Sequence, residues 1–185
     1  MKKLVGVLVL LMVLAGCAGG NEELDRAMAL RAKLLASGCS FDTTITADYG
    51  DKTHAFGVSC TADGQGNVSF TVTEPETIAG ITGTISGEGG KLVFDDSALA
   101  FELLADGQVT PVSAPWLMMK TLRGGYVRSC GMDGEQLRVS IDDSYEEDSL
   151  HLDYWLGEGD LPVRCEIVYD DRRILSLEVS NFTIV

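Results

Sequence analysis

Hydrophobic and polar positions change period along the chain, and the changes mark its elements. Over residues 21–37 Leu24, Ala27, Met28, Leu34 and Leu35 recur at helical spacing, with Leu30 and Arg31 beside the stripe. Asn21 stands at a capping position, Glu22, Glu23 and Asp25 load the first turn, and Gly38 follows the last. From Cys39 the period becomes two. Phe41, Thr43, Ile45, Ala47 and Tyr49 alternate with Asp42, Thr44, Thr46 and Asp48, Gly50-Asp51 turns the chain, and His54, Phe56, Val58 and Cys60 share a face on the way back. Centring this hairpin on its turn sets Phe41 opposite Cys60. Val68, Phe70 and Val72 continue the theme, Pro75 ends that strand, and 81–86, 91–94 and 99–104 read as further strands around Gly-rich bends.

After Pro111 and Pro115 the segment Trp116–Leu122 predicts a short helix ended by Gly124-Gly125. Its apolar residues are too many for one side of a surface helix. Tyr126–Cys130 predicts a strand, turned by Gly131-Met132-Asp133-Gly134. Alternation returns at Leu137–Ile141, Leu150–Leu156 and Val163–Tyr169, and a long strand closes the chain from Ile174, with an irregularity near Ser180. About ten or eleven short antiparallel strands and two helices predict a mainly β fold with α (α+β). The sheet would be strongly curved, or a half-open β-barrel, covered by the N-terminal and central helices. A closed barrel or sandwich with peripheral helices is the alternative.

The N-terminus has a different character. Lys2 and Lys3 precede an unbroken apolar run, Leu4–Ala15, then Gly16 and Cys17. A basic start, an apolar core and a small-residue exit form a secretory signal, and the run is shorter than the ~20 residues that span a bilayer. Leu14-Ala15-Gly16-Cys17 resembles the lipobox of bacterial lipoproteins. That resemblance implies a signal peptide over residues 1–16 and a lipidated Cys17 followed by a spacer to residue 21; the length that remains, 22–185, suits a single domain. An ordinary signal peptide with a chance cysteine and an uncleaved helix are the alternatives. Without Lys2 and Lys3 the chain holds 12 basic against 28 acidic residues, a net charge of −16. Such a surface repels nucleic acid and anionic headgroups, so lipid on Cys17 would carry the attachment to the membrane.

Four cysteines follow Cys17. Export permits disulfides, and the expected pairs are Cys39–Cys60, on neighbouring strands, and Cys130–Cys165, on separate hairpins, with buried free thiols as the alternative. No CxxC, HExxH or GxSxG occurs, and His54 and His151 are the two histidines. GEGGK at 87–91 opens a strand and lacks the Ser/Thr of a phosphate loop, and the acidic run 142–148 lacks the spacing of a calcium loop. Neither a cofactor nor a metal is expected, and catalysis is not.

In order, an exported N-terminus with a helix over the first hairpin, the segment NVSFTVTEPETIAGITGTISGEGGKLVFD, the helix in QVTPVSAPWLMMKTL and the closing LPVRCEIVYDDRRILSLEVSNFTIV are similar to the LolA/LolB-type lipoprotein carriers. Within that fold the chain resembles lipoproteins of spore-forming bacteria, including the germination lipoproteins of the GerS group. Such a likeness implies a non-catalytic scaffold or binding partner for an envelope or spore protein, including a cortex-modifying amidase. The alternative is an acyl chain or other apolar ligand in the concave face, lined by Phe70, Phe94, Trp116, Met118 and Met119.

Overall fold

The computed structural model describes residues 22–86, 92–94, 104–105, 107 and 109–185. Cys17, the signal segment and Asn21 lie outside the described residues, as does the expected strand 99–104 except for Leu104, which bridges Val109. Among the described residues two α-helices, α1 (Glu22–Ala36) and α2 (Ala114–Gly124), accompany ten strands. The strands are β1 (Cys39–Asp48), β2 (Thr53–Ala62), β3 (Val68–Glu74), β4 (Thr82–Ile85), β5 (Leu92–Phe94), β6 (Tyr126–Asp133), β7 (Gln136–Asp142), β8 (His151–Leu156), β9 (Pro162–Tyr169) and β10 (Arg172–Ile184). They form one curved, unclosed antiparallel sheet in the order β5-β4-β3-β2-β1-β10-β9-β8-β7-β6. β1 and β10, the first and last strands of the chain, pair at its centre.

Alternation sets the register. Phe41 faces Cys60, as the turn at Gly50 requires, and Ile45 faces Phe56. β10 is irregular where expected: the register shifts beyond Ser180, and Asn181 takes a φ of 53°. Two elements run past their predicted ends. α2 begins at Ala114, with Pro115 in its first turn, where proline costs no hydrogen bond. β6 continues to Asp133, which pairs with Gln136, so Gly134 (φ 61°) makes the turn and Gly131 is a strand residue.

The core lies between the concave face of the sheet and the helices. Phe41, Ile45, Val58, Phe70, Val72, Ile141, Tyr154, Ile167 and Leu177 are buried there. Leu30 and Leu34 of α1 join them, each contributing roughly 1.5–3 kcal/mol on burial. An arginine from each helix satisfies the other's last carbonyls. Arg31 donates to Leu122 O (2.7 Å), Thr121 O (3.3 Å) and Gly125 O (2.9 Å), while Arg123 donates to Leu34 O (2.8 Å). Thr121 O also accepts from the Gly125 N–H at 2.8 Å, and a cation suits the negative end of each helix. Burial lowers the pKa of Arg31 from its ordinary value.

Candidate functional site

Met118 and Met119 stand where a ligand in the concavity would lie. Both are buried, as are Leu117, Thr121 and Leu122, so α2 is enclosed on most of its circumference. A hydroxyl from the sheet fixes it. Tyr154, fully buried on β8, donates to Met118 O at 3.0 Å and shares a short hydrogen bond with the Thr121 hydroxyl. Burial raises the Tyr154 pKa well above its ordinary value. Phe70 is buried against Gly83 of β4, where a Cβ would come within 2.5 Å of the ring. Phe94 pairs with Gly83 along the backbone, and its side chain lies outside the described residues. Trp116 is half-buried; Lys120 lies 5.3 Å from its ring centroid, and its buried indole N–H has no hydrogen-bond partner among the described residues. The five proposed lining residues are thus not one set: Met118, Met119 and Phe70 are packing, and Trp116 alone among those with described side chains is half-exposed.

The expected disulfides are not formed. Cys39, Cys60, Cys130 and Cys165 are all free thiols. Cys39 pairs with Ala62 and so sits diagonally from Cys60; its thiol lies 3.9 Å from the Met119 sulfur instead. Cys130, Val139, Tyr154 and Cys165 form one row across four strands. Three strand spacings, about 14 Å, separate the ends of that row, well beyond the reach of a disulfide. Burial raises Cys39 to about 11 and pushes Cys60 and Cys165 up as well.

On the opposite face, β6 to β10 carry a polar network that sequence reading missed. Arg138 pairs with Trp155, and Trp155 with Arg164, so the indole lies between two guanidiniums with Cζ atoms 5.3 and 4.5 Å from the ring centroid. Trp155 Nε1 donates to Asp133 at 2.8 Å. One row along, Asp153 accepts from Arg138 Nη2 (2.7 Å) and Ser140 Oγ (2.5 Å), and His151 Nε2 is 3.4 Å away. Burial raises the Asp153 pKa, but the bonds from Arg138 and Ser140, with the charges of Arg138 and His151, outweigh it and hold the carboxyl below its ordinary value. Glu166 pairs with both Arg164 and Arg173.

Serine, histidine and aspartate meet here in the wrong order for nucleophilic catalysis. A triad needs hydroxyl to imidazole to carboxylate. Ser140 donates to Asp153, and the two nitrogens of His151 face Asp142 (2.8 Å) and Asp153. The visible clue in the sequence was Trp155, a large aromatic at an outward position between inward Tyr154 and Leu156. The rest of the network needs the strand register.

Two clefts bounded by described residues open on this outer face. One of about 450 Å³ is lined by Thr44, Ala55, Gly57, Thr73, Glu74 and Glu76, among others. The other, about 420 Å³, follows β6 from Ser129 to Asp133, with Arg138 and Ser140 of β7 as its wall.

No family model matches the chain, and no curated protein matches it. Solved structures similar to it include a LolA superfamily protein from Nitrosomonas europaea, at 7% identity and a TM-score of 0.43, covering 86% of this chain and 93% of that one. LprF from Mycobacterium bovis is similar at 11% identity and a TM-score of 0.43, covering 88% and 93%. The MucA/MucB complex of Pseudomonas aeruginosa gives 8% identity and a TM-score of 0.42, covering 88% of this chain and 56% of that one. Likeness of this degree says nothing of activity. Among the described residues, no helix is long and apolar enough to cross a membrane.

Proposed function

We propose that this protein is a non-catalytic extracytoplasmic lipoprotein, tethered to a bacterial membrane through lipid on Cys17, that binds an envelope or spore protein. The observation that carries this reading is the placement of α2. Met118 and Met119 fill the concavity, and Tyr154 holds the helix there, which favours a protein that acts through its surface. A cortex-modifying amidase is the partner that the likeness to the GerS group suggests. One observation favours a second reading, an acyl or other apolar ligand: the unpartnered indole N–H of half-buried Trp116 is a donor that a ligand could engage.

The test is capture with the mature lipoprotein from its own envelope. The proposal expects one protein to co-purify in stoichiometric amount, and the captured chain to carry its lipid on Cys17. Co-purification of acyl lipid in the fold, with no protein, would contradict it.

A further inference from the structure

β6 ends the sheet, and its two halves differ in how they are protected. Exposed edge strands pair with other chains unless charges, prolines or bulges interrupt them. Tyr126–Arg128 has both devices: Arg128 is charged, and a register shift between Val127 and Ser129 bends the strand. Ser129–Asp133 has neither a proline nor a bulge; its own charged residue, Asp133, is turned back onto the Trp155 indole, and the charge beside it is Arg26 of α1, whose guanidinium reaches Met132 Sδ at 3.7 Å.

The half without a bulge coincides with the outer cleft. Five consecutive residues, Ser129, Cys130, Gly131, Met132 and Asp133, line its roughly 420 Å³. Gly131 opens it: the position pairs with Arg138 in the ladder, and a Cβ there would meet nothing within 4 Å. Exposed apolar side chains mark both ends of the strand, with Met132 at one end and Tyr126, its ring tilted against that of Tyr145, at the other.

We propose that Ser129–Asp133 receives an extended segment of the protein partner as an added strand, with a partner side chain entering the cleft beside Gly131. The proposal rests on the partner-binding reading and locates its contact. Five residues of strand offer about 17 Å of backbone for pairing, and side chains on alternate positions of the incoming segment would meet the cleft. A net charge of −16 on each mature copy opposes self-pairing and favours a neutral or basic segment from another protein.

The test uses the full-length lipoprotein in its own cells, with the photo-crosslinking residue p-benzoylphenylalanine in place of Met132. Three backgrounds are compared: Gly131 retained, Gly131→Ala and Gly131→Lys. The open space around Gly131 accommodates alanine without repacking, while lysine occupies the docking track. Circular dichroism and the urea midpoint check that each variant is folded. A cross-link to another protein that persists with alanine and falls at least about tenfold with lysine, equivalent to about 1.4 kcal/mol, is the expected result. A cross-link indifferent to Gly131→Lys, one only to a second copy of this chain, or none above that from the same residue placed at Glu178 would overturn the proposal. If the envelope protein is still captured by Gly131→Lys at full yield, the partner-binding reading stands and the edge contact falls.

Discussion

Tyr154 brings a hydroxyl into the core and uses it to hold α2 through Met118 O and Thr121. Tyr154→Phe removes both bonds, although the Thr121 hydroxyl keeps its bond to Leu117 O at 2.8 Å. It is expected to lower stability by roughly 1–3 kcal/mol, as a fall in urea midpoint at unchanged m-value. Asp153 carries a pH signature. Its pKa is held below the ordinary carboxylate value, so its contribution is fully present above about pH 4 and is lost as pH falls through the folded-state value. Asp153→Asn is therefore expected to flatten the acid limb of the stability profile; a profile that keeps its slope below pH 4 would contradict the network. The thiols divide by access. Burial raises the pKa of all four, but Cys130 is only partly buried, whereas Cys39, Cys60 and Cys165 are buried. Alkylation at pH 8, mapped by peptide mass spectrometry, is expected to mark Cys130 first and the other three only on unfolding.

At the scale of elements, β1, β2 and their register were legible because one face of each is buried and a two-residue period leaves little freedom. The end of β6 was not. Gly131-Met132-Asp133-Gly134 has turn composition, yet only Gly134 takes a turn conformation, at φ 61°. The other glycine serves the cleft, a role that composition does not record. Arg31 likewise reads as a polar residue flanking an apolar stripe, and only the approach of α2 turns it into a cap for that helix. Arg31→Leu would leave Leu122 O and Gly125 O unsatisfied, and is expected to cost roughly 1.5–3 kcal/mol in chemical denaturation. Gly83 and Gly131 form a matched contrast. Gly83→Ala drives a methyl into the Phe70 ring and is expected to destabilise by roughly 1–3 kcal/mol, whereas Gly131→Ala meets open space and should be close to neutral.

For the whole molecule, the open curved sheet with helices on its concave side followed from counting short alternating strands and two apolar-sided helices. The outer-face network did not, because Arg138, Trp155 and Arg164 become neighbours only when three strands lie in register. The same limit misled the cysteine pairing: alternation placed Cys130 and Cys165 in one sheet but not three strands apart. What distinguishes a binding surface from a carrier is whether α2 fills the fold or guards a ligand. Native mass spectrometry of the protein, extracted from its own cells in a mild detergent, measures this directly. The account predicts the mass of the chain with the lipid on Cys17 and nothing further bound, together with a protein complex when the partner is retained. A stoichiometric acyl ligand that survives Cys17→Ser and is released by unfolding would contradict it.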